Sequence, residues 1–470
     1  MSGLKNDFSQ GSVAKNILSL AAPMTLAQLI NVLYNLVDRI YIGHLPNASS
    51  LALTGLGLTF PIITIISAFS NLFGMGGAPL CSIARGKGEH EYARKVMGNS
   101  FLALMISGVV LMVVCFSFKE PLLYLFGASQ DTFGYANDYL EIYLIGTIFV
   151  MISLGMNSFI NSQGFGKMGM LTVLLGAVMN VILDPILIFG LQMGVRGAAL
   201  ATVISQGLSA VWVLRFLTGK QAIYRLELVW MKPNFRVLRE ITGLGMSSFI
   251  MSVTNGSVQM VCNLTLSIYG GDLYVGIMTV INAVREVLTL PVMGVTNGAQ
   301  PVMGFNYGAG KFQRVRQGIR FTSIICILYT IGAWLLTLLF PAQFIHLFNS
   351  DPALLEKGVP AMHLYFFGFF MMSLQFAGQS TFVALGRSRQ AVFFSLLRKA
   401  FIVIPLTIFL PMCWGLGVNG VFLAEPISNF IGGGACFITM MLTVWPQLRY
   451  DPPEKQGEKL DAESSETKKA

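Results

Sequence analysis

Apolar residues run along this chain in long stretches that are separated by short polar segments. A helix that crosses the hydrocarbon core of a membrane needs about 20 mostly apolar residues. Twelve stretches meet this length, so the pattern predicts an all-α integral membrane protein with twelve transmembrane helices. The predicted spans are residues 16–40, 52–80, 97–118, 138–162, 168–190, 195–217, 240–268, 274–303, 319–340, 360–384, 391–412 and 415–444.

The composition agrees with this fold class. The 470 residues are 54% hydrophobic and 11% charged, whereas soluble domains contain about 25% charged residues. The net charge of +9 would suggest nucleic acid in a soluble protein. Here the basic residues lie mostly between apolar stretches, so we expect membrane lipid and no nucleic acid as partner. The six cysteines form no C-x-x-C pair, and no zinc or disulfide framework is indicated.

Lysine and arginine set the expected orientation, because they accumulate in cytoplasmic segments. With the N-terminus in the cytoplasm, 26 of the 31 basic residues lie in cytoplasmic segments or helix ends. The exceptions are Arg39, Lys119, Arg196 and Lys357 outside, and Arg285 within a span. We therefore expect a multi-pass protein of the plasma (cell inner) membrane, with both termini in the cytoplasm. The first apolar stretch lacks a cleavage site and is expected to remain as a helix.

The chain repeats itself at a distance of 222 residues. "GGAPLCSIARGKGEHEYAR" from Gly76 aligns with "GAQPVMGFNYGAGKFQRVR" from Gly298, and the same shift aligns Tyr143 with Tyr365 and Gly146 with Gly368. One residue further, "GVRGAALATVIS" at 194 aligns with "GVNGVFLAEPIS" at 417. The repeat predicts two six-helix bundles, residues 1–218 and 240–445, joined by a cytoplasmic linker, 219–239. Residues 446–470 are polar and are predicted to form a disordered tail.

Six is an even number, so both bundles cross the membrane in the same sense. A pseudo-twofold axis should then run along the membrane normal, with the substrate path between the bundles. Repeats of this kind are frequent in transporters, although a duplication can also serve folding alone. We therefore expect transport of a substrate and no enzymatic reaction.

Four carboxylates fall inside predicted spans: Asp38, Asp184, Glu286 and Glu425. A charge at the bilayer centre costs at least ~2.5–3.5 kcal/mol, so such residues are candidates for function. Asp38 ends a polar stripe of the first helix that has the i, i+3, i+4, i+7 spacing of one helical face. The stripe consists of Asn31, Tyr34, Asn35 and Asp38, and Asn35 is a further candidate for contact with a substrate.

Asp184 has Asn180 one turn before it and Pro185 directly after it. Counting from the helix ends, Asp38, Asn180, Asp184 and Thr202 should lie at a similar depth near the outer surface. We therefore predict that these residues from three helices form one site, a candidate for ion coupling. Two alternatives remain: Asp38 as an interfacial partner of Arg39, and Asp184 as a helix-packing hydrogen-bond acceptor.

The second half lacks an equivalent carboxylate pair, since Cys262 and Leu406 lie near the repeated positions of Asp38 and Asp184. Ion coupling is therefore expected in the first half. Glu425 occupies the repeated position of Thr202, and Glu286 follows Arg285. Either glutamate is a candidate contact for a cationic substrate, and the alternative is a buried structural ion pair.

These segments resemble the multidrug and toxic compound extrusion (MATE) family, and more closely its bacterial MepA-like branch. The resemblance rests on "LAAPMTLAQLINVLYNLVDRIYIGHL", "GGAPLCSIARGKG" and "NVILDPILIFG" followed by "GVRGAALATVISQ". It implies two six-helix bundles around a V-shaped cleft, and efflux of bulky, mostly cationic or amphipathic compounds in exchange for H⁺ or Na⁺. It also maps the cation site, for H⁺ or Na⁺, onto Asp38, Asn180, Asp184 and Thr202 with Tyr34 beside it, and places Asn31 and Asn157 in the drug cavity.

We therefore expect a monomeric antiporter without cofactor, driven by an ion gradient, because no Walker A motif is present. In our hypothesis, Asp38 and Asp184 share a dry pocket in which burial and mutual repulsion favour the neutral carboxyl form. Competing hypotheses are a lipid-linked sugar flippase of the same superfamily, a membrane-embedded enzyme, and a structural or receptor role. Only Arg285 is expected as a base at mid-membrane depth, which favours drug efflux over the flippase.

Overall fold

The computed structural model describes residues 7–44, 49–348, 352–413 and 415–451, and these ranges are helical without a β-strand. The first half contains α1 (Val13–Gly43), α2 (Ser49–Lys87), α3 (His90–Ser117), α4 (Lys119–Leu125), α5 (Gln130–Ile145), α6 (Thr147–Ser162), α7 (Gly166–Pro185) and α8 (Val195–Thr218). The second contains α9 (Phe235–Gly308), α10 (Phe312–Leu339), α11 (Pro341–His346), α12 (Pro352–Phe366), α13 (Phe370–Ala384), α14 (Ser388–Leu396), α15 (Ile404–Phe409), α16 (Val418–Ser428) and α17 (Gly434–Thr443). The predicted all-α fold class is confirmed.

Twelve membrane crossings can be traced in the described ranges. Nine helical segments are long and apolar enough to cross a membrane, and two bent helix pairs pass the same test together. The segment α9 has 74 residues, about 110 Å at the α-helical rise, which is far more than one crossing needs. Its backbone leaves the helical conformation at Gly271, with φ 67° and ψ −168°, so α9 makes two crossings.

Two crossings differ from the prediction because each is bent at a glycine. Residues 138–162 belong to α5 and α6, which meet at an angle of 58° at Gly146. Residues 360–384 belong to α12 and α13, which meet at 42° beside Gly368, whose φ is 66°. Only glycine adopts such a φ readily. These two glycines are partners in the 222-residue repeat, so the bend itself is duplicated.

Between the halves, the connection from Thr218 to Phe235 has one short 3₁₀ turn, Leu228–Trp230. It is anchored to the first half, because the backbone N–H of Asn234 donates to Asn99 Oδ1 at 2.8 Å. At the other end of the chain, Pro446–Leu448 forms a 3₁₀ turn. Most of the predicted disordered tail, residues 452–470, lies outside the described residues.

The first residues of the described chain pack on the second half. Phe8 meets the ring of Phe305 edge-on at 5.9 Å. The guanidinium of Arg314 donates to the backbone oxygens of Phe8, Gln10 and Gly11 at 2.9, 3.0 and 2.9 Å. Each hydrogen bond from a charged donor stabilises such a segment by about 1.5–3 kcal/mol, so the N-terminal segment ties α1 to α9 and α10.

Glycines let the two halves approach closely at the end that the Lys/Arg distribution assigns to the cytoplasm. A Cβ atom on Gly86 of α2 would lie 1.9 Å from the Phe305 carbonyl oxygen, and one on Gly308 of α9 would lie 2.1 Å from the Ile83 carbonyl oxygen. Both distances are far below van der Waals contact. Gly86 and Gly308 are repeat partners, so the contact between the bundles is itself pseudo-symmetric.

We expect Gly86→Ala to destabilise the protein by about 1–3 kcal/mol, because the added methyl group forces α2 and α9 apart. The matched control is Gly57→Ala in the same helix, where a Cβ would meet nothing within 4 Å. Alanine there should be neutral or stabilising by up to about 1 kcal/mol through helix propensity. Thermal unfolding of the purified protein in detergent measures both, and equal midpoints for the two variants would contradict the close contact.

Candidate functional site

A cavity of about 200 Å³ lies between α1, α2, α6, α7 and α8 of the first half and α9 of the second. Its lining is rich in carboxamides and contains apolar side chains, and no charged side chain is among the described residues that line it. The carboxamides are Gln28, Asn31, Asn71, Asn157, Asn161, Asn180, Gln206, Asn297 and Gln300. Such a surface offers donors and acceptors in many directions without fixing the charge of a ligand.

Of the three predicted substrate contacts on α1 and α6, the structure places two in the cavity lining. Asn31 and Asn157 line the cavity. The Asn157 Nδ2 donates to the Gly169 carbonyl at 3.2 Å, while its buried Oδ1 has no partner among the described residues. Asn35 is exposed and does not line the cavity, because its amide folds back and donates to the Asn31 carbonyl at 2.8 Å. The prediction for Asn35 is therefore wrong for this conformation.

At one end of the cavity, the predicted ion-coupling residues come together. The Asn180 Nδ2 donates to Asp184 Oδ1 at 3.3 Å and to Thr202 Oγ1 at 3.4 Å, which links α7 to α8. Asp184 is 0% exposed and Asp38 is 8% exposed. Each carboxylate lies within electrostatic range of the other, so repulsion disfavours the state in which both are charged.

The local sequence explains how α7 presents this pair. Asn180 and Asp184 are four residues apart and share one face of the helix. Pro185 ends α7, and the chain continues as a π-helical turn, Ile186–Gly190. Proline removes a backbone donor from the helix, and π-turns are frequent at functional sites. Asp184 is therefore held at the last regular turn of its helix.

Three oxygens of this group have no hydrogen-bond partner among the described residues: Asp38 Oδ1, Asn180 Oδ1 and Asp184 Oδ2. Buried acceptors without donors are costly. A proton on a carboxylate, or a Na⁺ ion bound by oxygen ligands, would satisfy them. Tyr34 contributes to the same region, because it lines the cavity and its hydroxyl interacts with Gln206. The donor set thus fits either coupling ion.

The alternative role for Asp38, as a partner of Arg39, is reduced in the structure to a longer-range electrostatic interaction. Arg39 is exposed, and its guanidinium lies 4.7 Å from the centre of the Phe60 ring. No ion pair within 4.0 Å joins Arg39 to Asp38 in the described part of the chain. A packing role of Asp184 through Asn180 is compatible with the observed hydrogen bonds.

In the second half, Glu425 is buried in an ionic cluster. Arg398 donates to its Oε1 at 2.9 Å, Lys399 to the same oxygen at 3.1 Å, and Arg285 lies 3.8 Å away. The structure therefore supports the alternative for Glu425, a buried structural ion pair. Its carboxylate is already paired and is not free to bind a cationic substrate. Glu286 is exposed and lines neither described cavity, so it is not placed to contact a substrate.

The expectation that Arg285 is the one base at mid-membrane depth is wrong. Arg398 and Lys399 are 5% and 3% exposed, and they lie about 15 Å along the helix from its start at Ser388. They belong to a π-helical segment, Leu397–Val403, between α14 and α15. Their position inside the predicted span 391–412 was the signal that could have revealed them, since both lie seven or eight residues within it.

Comparisons with known proteins agree with this architecture. The family model described as MatE matches the chain twice, at residues 23–186 and 247–409. The multidrug export protein MepA of Staphylococcus haemolyticus is 27% identical over 439 residues, which cover 93% of this chain and 95% of that protein. MepA of Staphylococcus aureus strain N315 is 26% identical over 446 residues, with the same coverage of 93% and 95%.

Among solved structures, an outward-facing multidrug resistance MATE transporter of the MOP superfamily superposes with a TM-score of 0.87 at 21% identity, covering 96% of this chain and 99% of that one. A MATE transporter in complex with MaD3S gives a TM-score of 0.88 at 21% identity, with the same coverage. These structures establish the common fold of two six-helix bundles.

Proposed function

Since the chain belongs to the MatE family of multidrug transporters, we propose that it is an ion-driven antiporter that exports bulky, mostly cationic or amphipathic compounds. The coupling ion is H⁺ or Na⁺, taken up at Asp38 and Asp184. The substrate occupies the carboxamide-lined cavity. Export proceeds by alternating access of this cavity to the two sides of the membrane.

One observation carries the proposal: Asn180 belongs both to the cavity and to the carboxylate pair. It lines the 200 Å³ cavity, and its Nδ2 donates to Asp184. Thr202 also lines the cavity, and its hydroxyl oxygen accepts a second hydrogen bond from the same Asn180 Nδ2. Binding of an ion at the carboxylates therefore changes the hydrogen bonding of residues that a substrate touches, which is the contact that exchange of ion for substrate requires.

The polarity of the cavity favours drug efflux over transport of lipid-linked sugars. The basic side chains Arg398 and Lys399 are buried in their own cluster and are not among the described residues that line the large cavity. A neutral cavity does not repel cations, and the two carboxylates beside it attract them. We further propose that the transporter works as a monomer in the plasma membrane, with both termini in the cytoplasm, as the distribution of lysine and arginine indicates.

Efflux of a fluorescent cation such as ethidium from proteoliposomes tests this function, with a proton gradient and a sodium gradient imposed separately. We expect uphill movement of the cation with one of the two gradients and none without a gradient. The gradient that drives transport identifies the coupling ion. Equal rates in empty liposomes and proteoliposomes under both gradients would contradict the proposal.

A further inference from the structure

The second half contains a small buried chamber at the position that the repeat gives to the coupling site of the first half. Glu425 is the repeat partner of Thr202, and Cys262 and Leu406 lie near the repeated positions of Asp38 and Asp184. Cys262 Sγ lies 3.8 Å from the hydroxyl oxygen of Thr407, the residue after Leu406. The duplicated scaffold therefore forms a duplicated site, but with different side chains.

Most charged side chains of this chamber are basic, whereas those of the coupling site in the first half are acidic. Three cationic groups, from Arg285, Arg398 and Lys399, surround the single carboxylate of Glu425. Within the described residues, three cations share the one carboxylate that contacts them, and the exposed Glu286 acts on Arg285 only from a distance. The first half instead places two carboxylates together without a contacting cation. Buried charges need a partner of opposite sign, so the cluster is incomplete with Glu425 alone.

There is room for the missing partner beside Lys399. A cavity of about 20 Å³, enough for one particle of the size of a water molecule, lies between the side chains of the cluster. Its charged and hydroxyl-bearing lining residues are Arg285, Tyr365, Lys399, Thr407 and Glu425. The guanidinium of Arg285 is only loosely held by Glu425, at 3.8 Å, and its side chain is 25% exposed, so it retains hydrogen-bond donors for another acceptor.

We propose that this chamber, lined by Arg285 and Lys399, binds a small monatomic anion, a halide ion. The anion compensates the surplus positive charge and accepts hydrogen bonds from the two cations. Glu425 competes with it for the same donors. The transporter thus has a cation-binding site in its first half and an anion-binding site in its second, at repeat-related positions.

Thermal unfolding of the purified full-length protein tests the site, with bromide replacing gluconate at constant ionic strength and acetate as a second comparison. Acetate and gluconate are both too large for a chamber of one water-sized particle. A ligand that binds only the folded state raises the unfolding midpoint in a saturable manner. We expect such a rise with bromide and none with acetate, and an equal rise with both ions would indicate a general salt effect and contradict a halide site.

Two kinds of variant should change this response in opposite directions. Lys399→Met and Arg285→Gln each remove a cation from the chamber and should abolish the rise. Glu425→Gln removes the competing carboxylate and should increase the apparent affinity at least tenfold. Lys357→Met, which removes an exposed positive charge, is the control and should leave the response unchanged.

A purely structural ion cluster gives a different pattern. Both Lys399→Met and Glu425→Gln would then lower the midpoint, and neither would alter its dependence on the anion. If Lys399→Met does not fold, Arg285→Gln still tests the site, because its contact to Glu425 is the longest of the three. Absence of a bromide effect on the unmodified protein would overturn the proposal and leave the ion-driven efflux of the first half unaffected.

Discussion

Asp184→Asn is expected to abolish ion-driven efflux while the protein still folds. Asparagine has the shape of the neutral carboxyl group but cannot take up a proton or bind a cation with a full charge. Asp184 is buried and hydrogen-bonded to Asn180, which lines the substrate cavity. The variant should therefore behave as if its ion were permanently bound. Uphill efflux of ethidium from proteoliposomes should fall at least tenfold, towards the rate of empty liposomes.

The energetic reason is the size of the driving force. Each pH unit across the membrane supplies about 1.4 kcal/mol per exchanged proton, which supports a tenfold substrate gradient. If Asp184 can no longer take up and release the ion, the exchange of ion for substrate is interrupted and this free energy does not reach the substrate. Asp38→Asn should have the same effect, because Asp38 lies within electrostatic range of Asp184 and has a buried Oδ1 without a partner among the described residues.

The matched control is Asp138→Asn, which removes an exposed carboxylate that pairs with Arg196 at 2.9 Å. It changes the same functional group outside the cavity and should leave efflux within about twofold of the unmodified protein, since exposed ion pairs stabilise by about 1 kcal/mol or less. Unchanged, gradient-dependent efflux by Asp184→Asn would refute the assignment of the coupling site to α7.

Much of the fold could be predicted because each membrane crossing leaves a simple pattern in the sequence, one long apolar stretch. Apolar length alone identifies a crossing, and a repeat of 222 residues reveals two halves without any knowledge of packing. The bends at Gly146 and Gly368 were harder to predict. Their glycines align in the repeat, but a glycine within an apolar stretch does not say whether the helix continues through it or turns.

The candidate site could be predicted where side chains lie on one helix with regular spacing. The pair Asn180 and Asp184 is four residues apart, and its hydrogen bond follows from helical geometry. The absence of Asn35 from the cavity lining could not be predicted in this way, because its side-chain amide donates to the carbonyl of Asn31, one turn before it, instead of reaching into the cavity. Competition between a local backbone acceptor and a distant ligand depends on the packing of neighbouring helices.

The cluster around Glu425 could not be predicted, because it is formed by contacts between different helices. Arg285 comes from α9, Arg398 and Lys399 from the π-helical segment after α14, and Glu425 from α16. The sequence shows that each residue lies in or near an apolar stretch, but basic residues near a predicted cytoplasmic end can reach the membrane surface. Only the depth at which the helix packs decides between an interfacial and a buried position, and neighbouring helices fix that depth.

A disulfide between Ser82→Cys in α2 and Gly304→Cys in α9 is expected to stop transport by locking the two halves together. A Cβ on Gly304 would lie 3.4 Å from the Cβ of Ser82, close to the 3.5–4.5 Å that disulfides show. The same Cβ would lie 3.0 Å from the Ala384 carbonyl oxygen, so a small local adjustment is needed. Alternating access requires this end to open, and the cross-link prevents it.

The experiment uses a Cys81→Ala background, because Cys81 precedes Ser82 directly and could pair with the new thiol. Under oxidising conditions, ethidium efflux by the double variant should fall to the rate of empty liposomes, and a reductant should restore it. Each single-cysteine variant should transport equally under both conditions. A cross-link that forms, as shown by mass spectrometry, without loss of transport would mean that substrate exchange does not require α2 and α9 to separate here.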